Sequence, residues 1–119
     1  MRRPDTVFQQ AWTHLVQLLE QRFGDGLEVE GILLLIGIQE IGQGPLKLNK
    51  QQKMEALHVA VCSLLVPYGY YAFVGRDEAG WPHFEALEPV PHLSTLQQHR
   101  FIKEAILDYF DDGKALMEP

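Results

Sequence analysis

The sequence predicts a mostly helical α+β fold: about four helices in a small bundle, with one β-hairpin between helix 3 and helix 4. Three observations predict it. Apolar residues recur every three or four positions over Thr6–Phe23, Lys50–Leu65 and Thr95–Asp112, which is the helical period. Between the last two segments the pattern turns aromatic and β-branched over Tyr70–Val74, and partly alternating over Trp81–Leu87. The 119 residues are 46% hydrophobic, enough for a single domain, 1–119, with a sizeable core.

In the first segment, Phe8, Trp12, Leu15, Leu19 and Phe23 share one stripe. Thr6 with Gln9 fits a capping box at its start. Gly24, Asp25 and Gly26 end it through residues that tolerate positive φ. His14 is expected to be partly buried.

The second segment runs from Glu28 to Gly42 and is apolar nearly all round, from Ile32 to Ile41. That composition fits a central helix and also a buried strand; the length and the polar Gln39-Glu40 ending favour helix. Gly31 and Gly37 weaken a helix but let another one approach closely. Gln43-Gly44-Pro45 reads as a loop.

Asn49, followed by Gln52, predicts the N-cap of the third segment. Met54, Leu57, His58, Val61, Cys62 and Leu65 are expected on its buried face, and Pro67 and Gly69 end it. In the hairpin, residues 75–80 form the turn. Pro82 lacks a donor, so its strand is an edge or begins after it. A lone hairpin is marginal in water and must lean on the helices or on a second copy of itself. Ser94 with Gln97 caps the last helix. Its expected stripe is Leu96, Ile102, Ala105, Ile106, Tyr109 and Phe110. The acidic Asp111-Asp112 end opposes the helix dipole and is expected to fray.

The net charge is −6, and the ten lysines and arginines form no basic stripe. The one basic pair, Arg2-Arg3, is expected at a frayed end. This argues against nucleic acid and anionic membranes as partners. The longest apolar run, Gly31–Ile38, is too short to span a bilayer. One cysteine rules out an intramolecular disulfide. The opening Met1-Arg2-Arg3-Pro4-Asp5 leads into an amphipathic pattern and not an apolar signal region, so a cytoplasmic location is expected.

The residues that bear on chemistry are few. His58 and Cys62, at i and i+4, have the spacing of two metal ligands, and Glu40 would supply a third if the second and third helices run antiparallel. Two ligands do not make a site, and no further Cys or inward His is nearby. The simpler reading is a core histidine, donating to a carbonyl or to Glu40, beside a buried cysteine that acts as a hydrophobe. No metal or cofactor is expected. Tyr70, Tyr71, Trp81 and His83 are candidates for a recognition surface, or for the covering of the core by the hairpin. Gly42-Gln43-Gly44-Pro45 lacks the lysine and hydroxyl of a phosphate loop. Nucleophile-elbow and dinucleotide fingerprints are absent.

Four stretches, Leu35–Gly42, Leu57–Cys62, Gly69-Tyr70-Tyr71 and Asp77–Phe84, resemble a family of small uncharacterised bacterial proteins found chiefly among Bacteroidetes. The resemblance covers about residues 28–110. It implies a bacterial, cytoplasmic protein and brings no activity with it. The expected function is a non-enzymatic interaction module, homodimeric or bound to another protein. The alternative is a small-molecule or metal-binding protein, or an enzyme, built around Glu40, His58 and Cys62.

Overall fold

The computed structural model describes residues 3–43 and 47–111. Six elements follow in order: α1 (Asp5–Phe23), α2 (Val29–Ile41), α3 (Lys50–Leu65), β1 (Tyr71–Arg76), β2 (Pro82–Ala86) and α4 (Thr95–Asp111). The fold is therefore α+β and mostly helical, with an antiparallel hairpin between α3 and α4. No helix among the described residues is long and apolar enough to cross a membrane. Gly44 and Pro45 of the expected loop, and Arg2, Asp112 and Gly113, lie outside the described residues.

The chain forms two compact units. One contains α1 and α4. The other, Val29–Pro91, contains α2, α3 and the hairpin.

In the first unit, Phe8, Leu15 and Leu19 are buried, while Trp12 and Phe23 are half-buried, as the stripe on α1 predicts. His14 is exposed, against expectation, because it points away from that stripe. The predicted Thr6 cap is replaced: α1 begins at Asp5 behind Pro4, with no side-chain cap. Gly24 (φ 103°) and Gly26 (φ 78°) adopt the left-handed backbone that ends the helix. The Glu20 carboxylate accepts the Gly26 and Leu27 amides there.

On α4 the Ser94–Gln97 capping box forms. Burial along this helix sets in only from Arg100, so Leu96 is 82% exposed and does not belong to the core stripe. The buried set is Glu104, Ala105, Ile106, Leu107 and Tyr109, with Phe110 half-buried against the Tyr109 ring.

Buried Glu104 holds this unit's charge network. Its Oε1 lies 2.6 Å from Arg3 Nη1, and its Oε2 accepts the Arg3 backbone N–H at 2.8 Å. Arg100 Nη2 lies 3.5 Å from Glu104 Oε2 and donates to the Arg3 carbonyl at 2.7 Å. The Arg100 guanidinium also stacks 3.9 Å from the Phe8 ring centroid. Arg3 is thus not a frayed end. Burial disfavours its charge, but the hydrogen bonds to Glu104 and Asp111 outweigh that and raise its pKa above the ordinary arginine value. The same Arg3 guanidinium ties down Asp111, which was expected to fray.

The second unit is built on the contact of α2 with α3. The segment from Val29 to Ile41 is helix, which settles the helix-or-strand alternative. Gly37 meets the α3 backbone: a Cβ added there would stand 2.1 Å from the Ala56 carbonyl oxygen. The buried face of α3 therefore centres on Ala56, Val59 and Ala60, whose small side chains permit this approach. The expected face is largely turned away. Met54 and His58 are exposed and Leu57 is half-buried; only Cys62 and Leu65, further along, are buried. The Asn49–Gln52 capping box forms as expected.

Two substitutions test these anchors. Gly37→Ala normally favours a helix by about 1 kcal/mol. Here the clash with Ala56 reverses the sign, and urea unfolding should show a net loss of about 2 kcal/mol or more. A stabilised variant would refute the close approach. Glu104→Ala leaves two arginine side chains without their shared carboxylate and should cost about 3–5 kcal/mol in the same assay. A loss typical of a surface ion pair, below about 1 kcal/mol, would show that the network carries little.

Candidate functional site

The hairpin docks on α2 through an arginine that sequence reasoning treated only as part of a turn. Arg76, at the end of β1, donates from Nη2 to the Glu40 carbonyl at 2.7 Å and from Nη1 to the Ile41 carbonyl at 2.8 Å. These carbonyls end α2 and have no partner within the helix. Nη1 also reaches the Gly80 carbonyl at 2.8 Å, so one guanidinium joins the helix end to the hairpin turn. The Gln43 side chain donates to the Ala79 carbonyl of the same turn.

Asp77 shapes the turn from inside. Its Oδ1 accepts the amides of Ala79 (2.9 Å) and Trp81 (3.0 Å), and its backbone N–H donates to the Trp81 carbonyl. Gly80 supplies the positive φ of 87° that closes the turn. Asp77 Oδ2 lies 2.8 Å from His83 Nε2. The His83 contact, then the Trp81 and Ala79 amides, hold the Asp77 carboxyl below the usual carboxylate range.

The strands pair with Tyr71 opposite Ala86, Phe73 opposite Phe84 and Arg76 opposite Pro82. Val74 forms a bulge between Phe73 and Gly75. Pro82 is the first residue of β2, a position where its missing N–H is tolerated. On the helix side, Trp81 and Phe84 pack against Ile41, Ala56 and Val59. The rings of Phe73 and Phe84 meet edge to face, with centroids 5.8 Å apart.

An open cleft of about 780 Å³ lies between α3 and this turn. Met54, Glu55 and His58 line it from α3; Asp77, Trp81 and His83 line it from the hairpin. His58 thus shares one depression with Trp81 and His83, two members of the other expected group. The signal for Met54 and Glu55 was their helical spacing to His58; Met54 was expected on the buried face with His58, and Glu55 was given no role.

The remaining sequence candidates lie elsewhere. His58 Nε2 sits 3.4 Å from Cys62 Sγ, so this pair does meet. Cys62 is fully buried, and burial pushes its thiol above the usual cysteine value. A protonated, sealed thiol is a poor nucleophile and a poor ligand. Glu40 is half-buried at the end of α2, does not line the cleft and offers its backbone carbonyl to Arg76. Among the described residues, no group of three His, Cys, Asp or Glu side chains is arranged to hold a metal ion. Tyr70 and Tyr71 are half-buried at the far end of the hairpin and do not line the cleft.

No protein-family model, curated protein or solved structure matches this chain.

The Asp77 turn makes a pH prediction. A carboxyl whose folded pKa is depressed adds stability above its unfolded value, about 3.9, and loses it as pH falls through the lower folded value. Urea midpoints measured downward from pH 5 should therefore fall more steeply in the wild type than in Asp77→Asn, which keeps the shape and loses the charge. Parallel curves would remove Asp77 from the account.

Proposed function

We propose that the chain is a non-enzymatic interaction module of the bacterial cytoplasm, and that it works as a homodimer through its hairpin. One observation carries this reading. The hairpin leaves Phe73 (53%) and Val74 (59%) on β1 and Leu87 (52%), directly after β2, exposed, three large apolar side chains on or beside a two-stranded sheet. A two-stranded sheet has two open edges and little apolar cover of its own. A second copy supplies both, pairing like surface with like around a two-fold axis. The sealed thiol of Cys62 supports the non-enzymatic part, since the Cys–His pair then has no reachable nucleophile.

The cleft favours a second reading, a small-molecule-binding protein. Its volume lies within the roughly 300–1,000 Å³ common for ligand sites, and an aromatic ring and several polar groups converge on it. This site would be centred on His58, Trp81 and His83 instead of Glu40, His58 and Cys62.

Light scattering coupled to size exclusion at tens of micromolar tests the first reading. The expected mass is twice that of the chain, falling to one chain in the double variant Phe73→Lys, Val74→Lys with its helical circular dichroism unchanged. A clean wild-type monomer would overturn the homodimer.

A further inference from the structure

Self-association through the hairpin leaves the cleft beside α3 without a role, and its wall chemistry is selective. We propose that this cleft binds a guanidinium-bearing ligand, an inference that rests on the ligand-binding reading. Three features carry it.

The first is charge. Glu55 enters from α3 and Asp77 from the turn, and no lysine or arginine is among the described residues that line the cleft. Glu55 is exposed and makes one long contact, 3.4 Å from Gln51 Nε2, so its carboxylate is available. The Asp77 carboxylate is held by His83 and by the Trp81 and Ala79 amides. The chain as a whole carries −6, which favours the approach of a cation.

The second is the aromatic plate. Trp81 packs against Ile41, Ala56 and Val59 while also lining the cleft, so its ring is held in place. A planar guanidinium stacks on such a ring and forks towards a carboxylate, a combination that an ammonium matches less well. The third is size. About 780 Å³ accommodates the planar group together with the chain that bears it.

The same group occurs on free guanidino compounds and on arginine side chains of peptides. An NMR titration of the labelled full-length chain distinguishes them. The probes are N-acetylarginine amide, its neutral isostere N-acetylcitrulline amide, a capped tripeptide with arginine at its centre, and benzoate as an anion. The arginine probe should give saturable shifts at the Trp81 indole N–H and along residues 54–58 and 77–83. The citrulline probe should bind about fivefold more weakly, or less still. Glu55→Gln should weaken arginine binding roughly two- to fivefold without moving the melting temperature. Tighter binding of the tripeptide assigns the ligand to a peptide side chain; equal binding assigns it to a free guanidino compound. Equal binding of citrulline, or binding of benzoate alone, overturns the guanidinium class and leaves the ligand-binding reading standing. Silence from all four probes overturns both.

Discussion

The second unit depends on how closely α2 and α3 approach. Gly37 admits the Ala56 carbonyl to a distance at which any side chain would collide, so the two helices meet backbone to backbone at that point. This contact selects the face of α3 that is buried. Large residues would hold the helices apart; Ala56 and Ala60 do not, and Met54 and His58 are left outside. The hairpin then has a fixed floor, because Ile41, Ala56 and Val59 form the cluster on which Trp81 and Phe84 rest. Arg76 completes the docking by satisfying carbonyls at the end of α2 that the helix itself leaves open. The cleft is a consequence: it lies between the outward face of α3 and a turn that is held at Arg76 and Asp77.

The unit of α1 and α4 is organised differently. Its apolar stripe is conventional, but a buried carboxylate sits within it. Glu104 is tolerated because Arg3 and Arg100 bring charge and hydrogen-bond donors to both of its oxygens. The network links residues about a hundred positions apart in the chain, and it adds orientation to a packing that apolar contacts leave permissive.

The same physical logic separates the functional candidates. A thiol and an imidazole at i and i+4 invite a chemical reading, yet burial keeps the thiol protonated and out of reach. The imidazole faces the cleft instead, beside groups from a different element. Of the one expected cluster, His58 keeps its contact with the sealed Cys62 while lining the cleft, and Glu40 stands at the end of α2 and does not line the cleft. The apolar residues of the hairpin likewise divide by burial: Trp81 and Phe84 pack on the core, while Phe73, at the edge of the Phe84 ring, Val74 and Leu87 remain exposed.

Much of the fold was legible in the sequence because it rests on local rules. Helical spacing, the Asn49–Gln52 and Ser94–Gln97 boxes, the glycines after Phe23 and the aromatic run of β1 all act within a few residues. Burial was less legible. An apolar helix such as α3 offers several faces, and the choice was made by Gly37 on another helix. Leu96 looked like core by its spacing, but burial on α4 begins a turn later. By itself, the sequence determined the order of the elements, the caps at Asn49 and Ser94 and the hairpin, while it left α2 between helix and strand and placed the cap of α1 at Thr6 where none forms. Only the tertiary structure decided that Arg3 and Arg76 are anchors, that Glu104 is buried and that His58, Trp81 and His83 share a cleft. Those outcomes depend on contacts between residues far apart in the chain, which periodicity and capping, acting within a turn or two, do not encode.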